Sequence, residues 1–205
     1  MTTGAIVHVV DDDDSLRAAL LELLDAAGYE ARGYASTGAF LLQPLADRPG
    51  CVLLDVRLPG PSGLELQAAL AQHGIALPVI FLTGHADVPT TVRAMKAGAL
   101  DVLEKPVERD TLLEALRRAL AHDATQRAAR KATMQHGKRL SVLTPREREI
   151  FDRVVAGKLN KQIADELGLG LRTVKAYRAQ LMEKLNVTSA AELGRLAGEL
   201  RDPAA

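Results

Sequence analysis

The first half of the chain begins with an apolar run that ends abruptly in four carboxylates, Ile6-Val7-His8-Val9-Val10-Asp11-Asp12-Asp13-Asp14. This stretch is the strongest indication of the fold of that half. Most residues of the run are β-branched, which favours a strand. Leucines then recur at helical spacing as far as Gly28, where we expect a helix to end. The chain therefore begins with a strand and a helix that are joined by acidic residues.

The same alternation of strand and helix continues through the first 122 residues. Three later apolar runs also lead to polar residues: 52–54 to Asp55, 78–82 to Thr83, and 102–103 to Lys105. Residues 29–34 alternate weakly between polar and apolar side chains, as an edge strand does. Five strands that alternate with helices predict an α/β fold, with a doubly wound, five-stranded parallel sheet covered on both faces.

The pattern changes after residue 122. Residues 123–140 are rich in Ala, Gln, Arg and Lys without an apolar stripe, which predicts a helical linker. Residues 141–205 contain helical patterns only, so we expect a small all-α domain to follow the α/β domain of residues 1–122. Thr144, Pro145 and Glu147 match a capping box, and Asn160 is expected to cap the next helix.

The formal net charge of zero conceals a difference between the two ends of the chain. Residues 1–121 carry 10 basic and 16 acidic side chains, whereas residues 138–205 carry 13 basic and 9 acidic ones. A basic domain is suited to binding a polyanion, and an acidic one needs a different role.

The composition excludes several classes of protein. No run of 18 apolar residues exists, so we expect no membrane span. The first residues lack a basic segment followed by an apolar one, and Cys51 has no second cysteine to pair with. Both features favour the reducing cytoplasm. Cys51 lies in an apolar run, where it is expected to be a core residue.

The polar residues that follow the strands predict a site. Carboxyl ends of parallel strands meet at one edge of the sheet, where open α/β sheets bind their ligands. Asp11, Asp12 and Asp55 would repel one another there unless a cation lies among them. All-oxygen ligands open to water suit Mg²⁺. A carboxylate held on this ion can attack phosphorus, while Lys105 and Thr83 bind phosphoryl oxygens.

The four aspartates also have a simpler interpretation. Acidic residues are common in solvated loops and at helix N-termini, where negative charge is favourable. We assign Asp13 and Asp14 to that class. For Asp11 and Asp12 taken alone both interpretations stay open, and the combination with Asp55, which follows another strand, favours the metal site.

These residues resemble the receiver domains of two-component systems. The resemblance rests on Val9-Val10-Asp11-Asp12, Asp55 with Leu58-Pro59-Gly60, Thr83-Gly84-His85, and Lys105-Pro106, spread over about 120 residues. It implies a CheY-like receiver in which Asp55 is the phosphoacceptor, Thr83 the switch hydroxyl and Lys105 the phosphate-pairing lysine. It also implies Mg²⁺ ligands at Asp11, Asp12, Asp55 and the backbone carbonyl of Arg57. The Lys105-Pro106 bond is a candidate for a cis peptide.

One position departs from that family. Receivers of this type usually carry an aromatic residue after the position of Asp101, and its rotation accompanies the switch hydroxyl. Val102 stands there instead, and a β-branched valine has no ring to swing. Whether this substitution weakens the relay to the output surface stays open.

The carboxy-terminal part resembles the LuxR-type helix-turn-helix. Its third helix, from about residue 172 to 185, places Val174, Tyr177, Leu181 and Leu185 on one apolar face. The opposite face offers Lys175 and Ala176, which we assign to base edges in the major groove. Thr173, Arg178 and Lys161 are candidates for phosphate contacts, although each charge alone is equally typical of a solvated helix.

Together the two parts resemble the FixJ/NarL family of response regulators. The resemblance implies a regulator of transcription, not an enzyme, that accepts phosphate from a sensor histidine kinase and dimerises on phosphorylation. Double-stranded DNA and RNA polymerase are its implied partners. Two alternatives are a phosphotransfer or phosphatase enzyme, and a DNA-binding protein whose receiver is a dimerisation module indifferent to phosphate.

Overall fold

A computed structural model describes residues 4–44, 48–84 and 87–201, except for the side chains of residues 135–139, 190 and 199–201. His85, which belongs to the receiver motif, lies outside these ranges. The chain divides into two compact units, Met1–Arg127 and Ala128–Ala205. No helix among the described residues is long and apolar enough to cross a membrane.

The first unit contains a five-stranded parallel sheet with the strand order β2-β1-β3-β4-β5. Its strands are β1 (Ile6–Val10), β2 (Glu30–Tyr34), β3 (Gly50–Asp55), β4 (Val79–Thr83) and β5 (Asp101–Glu104). The intervening helices are α1 (Asp14–Ala26), α2 (Thr37–Leu41), α3 (Gly63–Gln72) and α4 (Val88–Lys96). The predicted α/β fold and the edge position of β2 are confirmed.

Both faces of the sheet are buried. On one face Val9 and Leu53 pack with Leu20 of α1, and on the other Val10 and Leu54 pack with residues of α3. Alternating residues of one strand therefore enter different cores, as expected for a doubly wound sheet. Cys51 is fully buried, and burial raises the pKa of its thiol to about 12. The prediction that Cys51 is a core residue is confirmed.

Helix α1 begins directly after the acidic run. The Asp13 carboxylate accepts hydrogen bonds from the backbone N–H groups of Ser15 and Leu16, at 2.9 and 3.0 Å. Asp13 is therefore the N-cap of α1, and Asp14 lies in its first turn. The helix ends before Gly28, which has a φ of +80° that glycine adopts without strain.

Helix α5 (Arg109–Ser141) extends well beyond residue 122, where the predicted alternation of strands and helices ends. The residues 123–140 that predicted a helical linker all lie within it. The boundary between the two units falls inside the same helix, between Arg127 and Ala128.

The second unit continues with α6 (Pro145–Val155), α7 (Asn160–Leu167), α8 (Leu171–Leu185) and α9 (Ala190–Arg201). Thr144 forms the predicted capping box with Glu147. The prediction that Asn160 caps α7 is wrong, because Leu159 occupies the N-cap position. No described side chain caps the first N–H groups of α7, and the Leu159 N–H donates to Gln162 Oε1 at 2.8 Å. The Asn160 amide is instead engaged by Arg178.

Candidate functional site

Four strands of the first unit deliver polar side chains to the carboxyl edge of the sheet. Asp11 and Lys105 directly follow β1 and β5, while Asp55 and Thr83 are the last residues of β3 and β4. Asp11 is fully buried, and Asp55 and Thr83 are 8% and 2% exposed. The parallel register brings these residues to one edge, as the sequence predicted.

Lys105 joins the two buried carboxylates. Its Nζ lies 2.7 Å from Asp11 Oδ2 and 2.6 Å from Asp55 Oδ2. Burial lowers the pKa of Lys105, but the hydrogen bonds and charges of the two carboxylates outweigh this effect and raise it above its usual value. Lys105 is therefore a permanent cation in this site. The Lys105-Pro106 peptide is cis, as predicted.

The carboxylates fit a divalent cation. Asp11, Asp12 and Asp55 each offer an oxygen, and these three oxygens lie within 4.8 Å of one another. Asp11 and Asp55 are buried, whereas Asp12 is exposed, so the cluster is open to water on one side. Among the described residues, the Lys105 ammonium pairs with two of the three carboxylates, Asp11 and Asp55. Oxygen ligands with solvent access are those that Mg²⁺ accepts.

Asp55 is held by its own loop as well. The backbone N–H of Arg57 donates to Asp55 Oδ1 at 2.9 Å. One oxygen of Asp55 thus contacts Arg57 and the other contacts Lys105, which fixes the orientation of the carboxylate. Metal binding by the carbonyl of Arg57 stays a prediction.

Val102 lies on β5, opposite Phe81 of β4. Its side chain is half-buried and packs against the core between the sheet, α3 and α4. A short apolar side chain therefore occupies this position. Thr83 ends the neighbouring strand, two residues beyond Phe81.

Arg17 contacts this site, although no motif of the sequence singles it out. This residue of α1 donates from Nη1 to the backbone carbonyl of Asp11 at 2.7 Å and also pairs with Asp14. The spacing of three residues between Asp14 and Arg17 indicated an ion pair on one helix face. Nothing in that spacing indicated the contact with Asp11.

In the second unit, α8 has the predicted two faces. Val174, Leu181 and Leu185 are at most 2% exposed, and Tyr177 is half-buried against the same core. Thr173, Lys175 and Ala176 are exposed on the amino-terminal half of the helix. A helix with small and basic residues on its exposed first turns can enter a major groove.

The two remaining basic candidates lie near each other. Arg178 Nη1 donates to Asn160 Oδ1 at 2.5 Å, which ties the middle of α8 to the beginning of α7. Arg178 is half-buried, whereas Lys161, the next residue after Asn160, is exposed. Arg178 thus makes a contact within the second unit in addition to its predicted contact with a DNA phosphate.

Two family models match the chain. The response regulator receiver domain matches residues 7–117, and the bacterial regulatory proteins of the luxR family match residues 141–197. The first covers the sheet with its carboxylate cluster, and the second covers α8 with its exposed basic face.

Curated relatives and solved structures extend over nearly the whole chain. Nodulation protein W of Bradyrhizobium diazoefficiens is 43% identical over 97% of this chain and 88% of its own length. The transcriptional regulatory protein FixJ of Azorhizobium caulinodans is 44% identical over 93% of this chain and 90% of its own. The structure of the response regulator StyR, 43% identical, covers 96% of this chain and 100% of its own with a TM-score of 0.85. With a receiver domain, a LuxR-type DNA-binding domain and these relatives, the chain belongs to the FixJ/NarL family of response regulators, which are regulators of transcription.

Proposed function

We propose that this response regulator binds DNA under the control of phosphate accepted on Asp55 from a sensor histidine kinase. One observation carries the proposal: Asp55 lies beside Lys105 and within reach of the two carboxylates Asp11 and Asp12. A nucleophilic carboxylate, a fixed cation and a divalent-metal site are the parts that phosphoryl transfer requires.

In this proposal an oxygen of Asp55 attacks the phosphorus of a phosphohistidine. The new P–O bond replaces the P–N bond, and the imidazole of the kinase leaves with the bonding electron pair and takes up a proton. Asp11, Asp12, Asp55 and the carbonyl of Arg57 would hold Mg²⁺, which when bound would neutralise charge on the phosphoryl group. The Arg57 N–H keeps the carboxylate oriented, and Lys105 pairs with a phosphoryl oxygen.

Thr83 is the residue that senses the phosphate. Its position at the end of β4 supports a hydroxyl that donates to a phosphoryl oxygen. Phosphorylation then shifts an existing equilibrium towards the active form. Val102 makes the relay depend on small movements of β4 and α4, since it offers no ring that could rotate.

The active form is a homodimer. Helix α4 exposes Val88, Val92 and Met95, which are 74%, 42% and 47% accessible. An apolar surface beside a switch residue suits association between two copies. We assign the dimer interface to α4 and β5, with the regulator acting in the cytoplasm and activating RNA polymerase.

The test of this function is the mass of the full chain in solution, measured by sedimentation with Mg²⁺, with and without the phosphoryl mimic beryllofluoride. We expect the mimic to produce a dimer of the natural chain and to leave Asp55→Ala monomeric. If the mimic changes neither mass, phosphate control of dimerisation is excluded. The alternative favoured by Val102, a DNA-binding protein with a phosphate-indifferent receiver, then becomes the better account.

The DNA contacts are tested by separate substitutions. Lys175→Ala should cost about 2 kcal/mol on the specific site and relax preference at one base pair, because Lys175 is assigned to guanine acceptors. Lys161→Ala should weaken binding to all sequences alike and reduce the slope of log K against log salt by about 1. Binding is followed by fluorescence anisotropy of labelled duplexes.

The matched control for both is Lys131→Ala, which removes one exposed lysine from α5. We expect it to leave specificity and salt slope unchanged. Equal losses from all three substitutions would contradict the assignment of base and phosphate contacts to α7 and α8.

A further inference from the structure

Arg17 lies outside the set of residues that the proposed phosphorylation site uses, yet it contacts that site. Its guanidinium donates from Nη1 to the main-chain carbonyl of Asp11 at 2.7 Å, and its other terminal nitrogen pairs with Asp14. Only 17% of the Arg17 side chain is exposed, whereas the Asp14 side chain is 85% exposed. The carbonyl contact is therefore the better shielded of the two, and a charged donor strengthens it.

The carbonyl that Arg17 binds belongs to the peptide unit between Asp11 and Asp12. This unit is planar, so holding its oxygen restricts the orientation of both flanking residues. The Asp11 N–H is held from the other side by the carbonyl of Tyr34 at 3.1 Å. The Asp11 carboxylate itself accepts from the Asp13 N–H at 3.0 Å and from Lys105. Arg17 thus completes a set of contacts that fixes the segment with the two neighbouring carboxylates.

The path of the Arg17 side chain depends on Gly33 of β2. A Cβ at Gly33 would lie 3.1 Å from both Cγ and Cδ of Arg17, and 3.0 Å from Cδ1 of Leu21. Such distances are closer than ordinary van der Waals contact, so a larger residue would displace the arginine stem. Glycine weakens a strand and commonly marks a close approach. Here the groups that approach are the stem of Arg17 and the Cδ1 methyl group of Leu21.

We propose that Arg17 is a positioning residue for divalent-metal binding, and that Gly33 provides the space through which it reaches Asp11. This inference rests on the proposed Mg²⁺ site at Asp11, Asp12 and Asp55. Arg17 has two effects on the affinity of the site for a cation, and these effects have opposite signs. A nearby guanidinium repels a cation and weakens its binding, whereas a correctly held Asp11–Asp12 peptide strengthens it.

The experiment is a Mg²⁺ titration of the ¹⁵N-labelled full chain, followed by the shifts of backbone amides near Asp11 and Asp55. Positioning predicts that Arg17→Ala binds Mg²⁺ about tenfold more weakly, a loss of about 1.4 kcal/mol. Repulsion alone predicts tighter binding. An unchanged or tighter affinity in Arg17→Ala therefore overturns the proposal.

Arg48→Ala is the matched control. Arg48 also donates to a backbone carbonyl, that of Gly4 at 2.8 Å, and pairs with Glu30, but it does so at the opposite end of β2. The substitution removes the same charge and the same types of contact. We expect unchanged Mg²⁺ affinity, and a loss equal to that of Arg17→Ala would overturn the proposal by showing a general effect of destabilisation.

Gly33→Val tests the path of the side chain without removing the charge. We expect weaker Mg²⁺ binding in the natural background and no further loss when Arg17→Ala is already present. Additive losses would overturn the claim that Gly33 acts through Arg17. Absence of Mg²⁺-dependent shifts in the natural chain itself would instead contradict the proposed function, so the two failures are distinguishable.

Discussion

The two ends of strand β3 both lie beside buried carboxylates, and the two clusters differ in charge balance. At the carboxyl end, Asp55 and Asp11 share the single ammonium of Lys105. At the amino end, Asp123 of α5 accepts hydrogen bonds from the Gly50 N–H at 3.0 Å and from Arg127 Nε at 2.8 Å. Asp123 is only 1% exposed and has a guanidinium of its own.

This difference distinguishes the cluster at Asp55, a candidate ligand site, from the cluster of Asp123, Arg127 and Gly50, which we call the structural tie. The cluster at Asp123 balances one negative charge with one positive charge and joins α5 to the sheet. Its Oδ1 is buried without a hydrogen-bond partner among the described residues. The cluster at Asp55 has an excess of carboxylates and an open side, which a cation can neutralise. A divalent cation bound at this edge would compensate for the excess charge.

The largest effect is expected at the structural tie. Asp123→Ala removes the acceptor of the buried Gly50 N–H and the ion pair that Asp123 makes with Arg127, and should cost about 4 kcal/mol of unfolding free energy. Hydrogen exchange of β1 and β3 amides in the full chain measures this loss for the first unit. The control is Glu114→Ala, which removes an exposed carboxylate from the same helix. Similar protection in Asp123→Ala and the natural chain would show that the tie contributes nothing.

His8 lies in the middle of β1, away from both clusters. Its lowered pKa predicts the second largest loss of unfolding free energy. Burial, together with Arg32 and Arg48, lowers the pKa of His8 from 6.5 to about 4. The unfolded chain therefore binds a proton before the folded one does, and stability falls as the pH drops through this window. The loss should reach about 3 kcal/mol between pH 7 and pH 4.

This acid sensitivity is measured by following the same amides at several pH values. His8→Gln should remove the slope of stability against pH between pH 6.5 and pH 5. His73→Gln, at an exposed position, should keep it. A slope that survives His8→Gln would contradict the assignment of the acid sensitivity to His8.

A smaller effect is expected when the shared cation is removed. Lys105→Met leaves Asp11 and Asp55 facing each other without their ammonium, which should cost about 2 kcal/mol in a buffer free of divalent ions. Mg²⁺ should restore much of this loss, because it replaces the missing positive charge. Thermal unfolding with and without Mg²⁺ checks this, with Lys96→Met as the control on α4. Equal behaviour of the two variants would contradict the account of excess charge.

The smallest effect has the opposite sign. Asp55→Asn relieves repulsion at the carboxyl end of β3 and should stabilise the metal-free protein by about 1 kcal/mol. Asp123→Asn, the same change at the other end, should destabilise it, because the ion pair between Asp123 and Arg127 loses its negative charge. Urea unfolding compares the two variants. Destabilisation by both would remove the distinction between ligand site and structural tie.

The sequence alone supports much of the fold and the composition of the site. Asp55, Thr83 and Lys105 were predicted to meet because strand ends in a parallel sheet share an edge, which needs only the order of apolar runs. The opposite faces of α8 were likewise predicted from helical spacing. The cap at Asn160 was predicted wrongly, because propensity cannot decide between adjacent positions when a tertiary contact with Arg178 competes.

Periodicity and residue type are local properties. The sequence alone therefore predicts the helices and strands and the polar side chains that follow each strand. The tertiary structure decided which of these groups touch. Arg17 reaches the Asp11 carbonyl through the space above Gly33, and Asp123 accepts from Gly50, 73 residues earlier in the chain. Such contacts depend on the register of β2 against β1 and on the packing of α1 and α5 over the sheet. Distances of this kind are set by close packing of the whole unit, and no local pattern records them.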